Sequence, residues 1–122
     1  MFDIGTTGTA NTATGYGTLG SNTTGAANTA SGYESLVSNT TGTENIATGY
    51  GALGSNTTGT DNRASGYAAL VASITGIANT ALGYETLFSN TTGSYNAALG
   101  YHAGPDQNSA IQIEKGSYGK IE

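Results

Sequence analysis

The chain is expected to be all-β, a parallel β-solenoid (β-roll) of 17-residue coils, because three observations coincide. Asn recurs at Asn11, Asn28, Asn45, Asn62, Asn79 and Asn96, and Tyr at Tyr16, Tyr33, Tyr50, Tyr67, Tyr84 and Tyr101, a period of 17 with no insertion or deletion. Within each period, fixed small residues alternate with variable ones, the two-residue periodicity of a strand with one crowded and one free face. Gly in every repeat, frequent β-branched Thr and no Glu-, Lys- or Ala-rich span oppose helices. Equal units stacked in register form a quasi-one-dimensional structure in which identical residues make ladders.

Composition supports this class and narrows function. Of 122 residues 20 are Gly, 9 % are charged, and Cys and Trp are absent. Such a composition could signal disorder, but eight Tyr, six of them in strict register, point to packed repeats. The net charge of −5, with Arg63, Lys115 and Lys120 as the cations, offers no footprint for nucleic acid or an anionic membrane. The longest apolar runs are too short to insert into a bilayer, and Met1-Phe-Asp-Ile-Gly5 lacks the basic and apolar regions of a secretory signal.

Three segments follow in order. Residues 1–10 form an N-terminal cap and partial first coil: Thr6-Thr7-Gly8 stands 17 before Thr23-Thr24-Gly25, and Phe2 and Ile4 are placed to cover the open edge. Residues 11–104 are six repeats, a stack of roughly 30 Å at a strand spacing of about 4.8 Å. Each repeat is expected to hold about two short strands. Residues 105–122 break the period at Pro105 and read as a shortened last coil and C-terminal cap. There Asn108-Ser-Ala-Ile111 resembles a repeat start 12 residues after Asn96, and Lys115–Ile121 reads as strand with a turn at Gly116-Ser117.

Reading by column assigns sides to the coil. Ala is invariant at Ala13, Ala30, Ala47, Ala64, Ala81 and Ala98, with Gly two residues later at Gly15, Gly32, Gly49, Gly66, Gly83 and Gly100. Both face something that leaves no room. Leu19, Leu36, Leu53, Leu70 and Leu87 point inward, joined by Val37, Val71 and Phe88. Gly25, Gly42, Gly59, Gly76 and Gly93 sit at a corner suited to positive φ. An interior of one Ala and one Leu per coil is thin against a backbone ordering cost of about 1–2 kcal/mol per residue. Association through the Ala/Gly face would supply the missing burial, and the expected assembly is a homotrimer, intertwined or side by side.

The phrase Asn-Thr-Ala-x-Gly-Tyr-x-x-Leu-x-Ser-Asn-Thr-Thr-Gly resembles repeats of bacteriophage and prophage tail-fibre proteins and of YadA-like heads of trimeric autotransporter adhesins. The likeness spans about residues 5–104. In the adhesin heads the related motif is Asn-Ser-x-Ala-Ile-Gly on a shorter coil. The resemblance implies a trimeric parallel β-roll at a virion tail or bacterial cell surface, outside the cell, and a structural or adhesive role.

Chemistry finds little to use, so no enzyme, cofactor or metal is expected. His102 is the single histidine, too little for a metal cluster in one chain, and it reads as a solvated surface residue. Glu34, Glu44, Asp61 and Glu85 scatter over two columns and do not pair as a glycosidase would need. The Asn-Thr-Thr sequons at Asn22, Asn39, Asn56 and Asn90 read as turn chemistry. The Tyr column reads either as a packing ladder or as an aromatic stripe for a host-surface glycan or protein receptor. The Thr rows (Thr23, Thr40, Thr57 and Thr91 with Thr24, Thr41, Thr58, Thr75 and Thr92) raise ice binding as an alternative. Adjacent threonines are expected on opposite faces, leaving a single row for ice. A third reading is an extracellular filament subunit that stacks end to end.

Overall fold

A computed structural model describes residues 7–104 in full and residues 111–113 by their backbone. It is a β-solenoid. Seven three-residue strands form one parallel sheet in chain order: β1 (Thr12–Thr14), β2 (Thr29–Ser31), β3 (Ile46–Thr48), β4 (Arg63–Ser65), β5 (Thr80–Leu82), β6 (Ala97–Leu99) and β7 (Ile111–Ile113). From β1 to β6 each residue pairs with the one 17 positions on, as in Ala30↔Ala47 and Ala64↔Ala81.

Each coil holds one strand, not the two expected from sequence. The remainder is turns, yet it too is bonded coil to coil: Leu36 N–H donates to the Ala52 carbonyl at 3.0 Å, Ser38 N–H to Gly54 at 3.2 Å and Thr40 N–H to Thr57 at 2.9 Å. The strand is short because the Gly that follows it turns the backbone at once, with φ between 123° and 135°. Leu19, Leu36, Leu53, Leu70 and Leu87 are themselves left-handed, at φ 50–53°. A left-handed residue costs about 1–3 kcal/mol, the same order as the gain from burying a Leu side chain. These leucines are fully buried.

The crowded face is the inside of the chain's own coil. The Ala column is buried within a single chain, at no more than 6 % exposure. It therefore cannot be the surface through which subunits associate. A Cβ on Gly32 or Gly49 would collide with the backbone of the next glycine in its column, in the adjacent coil. The absence of room was read correctly, but what fills the space is the next turn of the same chain.

Two further expectations change. Val37 and Val71 are only half buried and Phe88 is exposed, so this column lines the outside. The corner glycines Gly25, Gly42 and Gly59 do not take positive φ. They are glycine for space: a Cβ on Gly25 would meet the Asn22 side chain and the Gly42 carbonyl.

What thickens the core is polar. Asn28, Asn45, Asn62 and Asn79 are fully buried and form a ladder. Asn45 donates its backbone N–H (3.0 Å) and its Nδ2 (3.1 Å) to Asn28 Oδ1, and the same Nδ2 donates to the Gly59 carbonyl at 2.8 Å. A second ladder runs through Asn22, Asn39 and Asn56, where Asn39 Nδ2 donates to Asn22 Oδ1 at 2.8 Å and to Gly42 O at 3.0 Å. A column of small residues, Thr18, Ser35, Ala52, Ala69, Thr86 and Ala103, completes the interior.

At the C-terminal end β7 pairs with β6 fourteen residues on, as Ala97↔Ile111 and Leu99↔Ile113. The final turn is thus three residues shorter than the others. Aligning Asn108 with Asn96 had implied an offset of twelve; strand pairing selects fourteen. The cap residues Phe2 and Ile4, Pro105, and the strand reading of Lys115–Ile121 lie outside the described residues.

The second ladder has one gap. In the fourth coil Ser73 replaces Asn, and both Ser73 Oγ and Asn56 Oδ1 are buried without a hydrogen-bond partner. Ser73→Asn would donate to Asn56 Oδ1 and Gly76 O and accept from Asn90 Nδ2, as its column neighbours do. Because an unsatisfied buried polar group costs about 1–3 kcal/mol, this variant should gain about 1–2 kcal/mol in urea or thermal unfolding. Unchanged or lower stability would show that the gap is not a weak point.

Candidate functional site

Tyr16, Tyr33, Tyr50, Tyr67, Tyr84 and Tyr101 follow the Gly at which each strand ends, so every coil delivers its ring to the same outer edge. Neighbouring centroids are 5.0–5.2 Å apart and neighbouring planes differ by 6–13°. This spacing exceeds the contact distance of about 3.5–4.0 Å between carbons and falls in the offset-stacked range. The rings overlap partly, and much of each remains open. Tyr16, which begins the stack, is 71 % exposed, and the other five are 42–53 % exposed. The tyrosines are therefore both a packing column and a continuous aromatic stripe.

Polar groups flank the stripe. The next column carries Glu34, Ala68, Glu85 and His102, all left-handed at φ 50–54°, with Gly17 and Gly51 in the same column. His102 is not simply solvated. Its Nδ1 lies 3.1 Å from Glu85 Oε2, and its ring stands edge-on to Tyr101 with centroids 4.2 Å apart. Beside Tyr16 a shallow recess is lined by Gly15, Tyr16, Gly17, Glu34 and Val37. It opens because Gly17 and Gly20 place no side chain over Glu34 and Val37.

The other sequence-selected residues fall elsewhere. The Ala and Leu columns are core. Asn22, Asn39, Asn56 and Asn90 are buried, so these sequons serve the interior and offer no surface acceptor. The two threonines of each corner do not alternate; Thr23 and Thr24 are both exposed, because this segment is a turn and not a strand. The hydroxyls of Thr23, Thr40 and Thr57 donate to the carbonyls of Thr40, Thr57 and Ile74 at 3.0–3.2 Å. That row is occupied in holding coils together. Among the described residues no three His, Asp or Glu side chains gather as a metal site would require.

Sequence reasoning missed the Asn ladders as interior structure. The signal was present in the invariance of the Asn11 column, but Asn is so common in turns that burial was not inferred.

Two phenols are held above their ordinary value of 10.0. For Tyr33 the main cause is the negative charge of Glu34, followed by loss of water against its neighbours. For Tyr84 loss of water comes first and the Glu85 charge second. A phenol raised in the folded state ionises first in the unfolded chain, so stability should be fully present below about pH 10 and fall as pH rises through the folded-state values. Residue-resolved NMR titration should show Tyr33 moving back towards its ordinary value in Glu34→Gln. Tyr84 should likewise move down in Glu85→Gln while staying raised by its loss of water; a Tyr33 value unmoved by Glu34→Gln would contradict the assigned cause.

Comparison with known proteins completes the description: the chain matches no protein-family model, no curated protein and no solved structure.

Proposed function

We propose that this solenoid is a structural and adhesive fibre segment, of a phage tail or a bacterial cell surface, that contacts a host-surface glycan or protein receptor through its tyrosine stripe. The observation that carries this reading is the set of six tyrosines aligned on one outer edge of a stack hydrogen-bonded along its length. Tyrosine combines contact area, low side-chain entropy and a polar tip, which suits it to recognition surfaces. The location rests on the resemblance of the repeats to tail-fibre and adhesin sequences.

A homotrimer is a separate, finer proposal from the same resemblance. Since the Ala column is occupied within one chain, subunit contacts would fall on outer residues, where Ile46, Leu82, Phe88 and Leu99 are exposed. Light scattering at micromolar concentration should give the mass of three chains. A monomer there would remove the trimer and leave the adhesive reading standing.

The adhesive reading is tested by Tyr50→Ala and Tyr67→Ala, which interrupt the middle of the stripe. Attachment to host cells or to an immobilised glycan array should fall at least about tenfold, equivalent to about 1.4 kcal/mol, while circular dichroism stays unchanged. Attachment equal to that of the parent chain would reduce the segment to a shaft.

A further inference from the structure

The spacing of the stripe restricts what can use all of it. Six equivalent rings repeat every 5.0–5.2 Å, and neighbouring planes turn by no more than 13°. A compact ligand would touch one or two rings and leave the rest idle. A ligand that engages the whole row must be linear and repeat at the same interval.

Three classes of linear polymer, polypeptide, polyanion and neutral glycan, can be compared on that basis. An extended polypeptide advances about 3.3 Å per residue, or about 6.6 Å per same-face pair, and loses register with the rings within a few steps. A nucleic acid strand or acidic polysaccharide brings one charge per unit to a chain of net charge −5 with Glu34 and Glu85 beside the stripe. A neutral extended β-1,4-linked glycan brings no charge; its sugars also alternate in facing, but its rise per sugar is close to the ring spacing, so its two-sugar same-face repeat spans two coils and stays in register. Its units also match the row chemically: the stacked rings turn their edges and phenol tips outward, and each sugar offers C–H groups to an edge and hydroxyls to a phenol.

Resting on the receptor-binding reading above, we propose that the tyrosine ladder is a ruler for a neutral, linear, β-1,4-linked polysaccharide that lies parallel to the solenoid axis with one sugar per coil. The recess formed by Gly15, Gly17, Glu34 and Val37 flanks the first ring and receives the end unit. Each contact is weak, and affinity comes from joining six of them on one rigid support.

The test is calorimetry on the full chain with cello- and chito-oligosaccharides graded from disaccharide to octasaccharide. Affinity should rise with every added sugar and level off at the hexasaccharide, matching the six rings. Deleting residues 45–61, one whole 17-residue period, should move the plateau to the pentasaccharide. Tyr50→Phe and Tyr67→Phe keep the stack and remove two hydroxyls, and should weaken hexasaccharide binding several-fold with no effect on disaccharide binding at Tyr16. Hyaluronan, linear but acidic, should bind at least about tenfold more weakly. A plateau at the disaccharide or trisaccharide, or one that ignores the deletion, overturns the ruler. Binding confined to branched or terminal glycans on an array would do the same while preserving the adhesive role. If no glycan binds and the tyrosine variants attach like the parent chain, the adhesive role fails as well.

Discussion

Every layer of this solenoid depends on the buried side-chain amides of its asparagine ladders. In the longer ladder the Oδ1 of each Asn from Asn11 to Asn79 accepts the backbone N–H and the Nδ2 of the Asn one coil on, and its Nδ2 also reaches a corner glycine carbonyl, as Asn62 does with Asn45 and Gly76. These amides lie out of water, so a partner lost by slippage would leave a donor or acceptor stranded at a cost of about 1–3 kcal/mol. A slip of one residue would strand every amide in the column at once. The 17-residue spacing is therefore enforced by hydrogen bonding as much as by apolar packing.

The same stacking explains the small residues and the unusual backbone. Coils one strand spacing apart leave no volume for a Cβ at Gly32 or Gly49, and little more than a methyl group at Ala47 or Ala64. Turning the chain within so few residues requires positive φ at four columns, represented by Gly32, Glu34, Leu36 and Glu44. For the leucines, the conformational cost is offset by burial against the Ala and small-residue columns. The local strain and the packing that supports it repeat together in each coil.

A stack that repeats inside also repeats outside. Once the interior holds each coil in register, any residue constant along the sequence becomes a straight row on the surface, and a row of tyrosines becomes an aromatic stripe with a set pitch. The corner threonines show the contrasting case: also periodic and partly exposed, they direct one row of hydroxyls into the next coil's carbonyls. Periodicity alone makes rows; what each row offers a partner depends on which of its atoms are already engaged.

The sequence by itself determined the repeat, its length, the parallel in-register stacking and the inward Leu column, because a period without insertions calls for stacked equivalent units and the Gly and Thr within each period oppose helices. It also marked the Ala and Gly columns as crowded. Only the tertiary structure decided what crowds them, since whether a small residue faces another subunit or the next coil depends on the path of the chain between columns. It decided that Asn, a frequent turn residue, is here an interior one, because the ladder bonds exist only when two coils are superposed. It also decided which way the tyrosines point: the left-handed turn after each glycine sends Tyr16 and its five counterparts outward, where rings a full period apart in sequence become nearest neighbours.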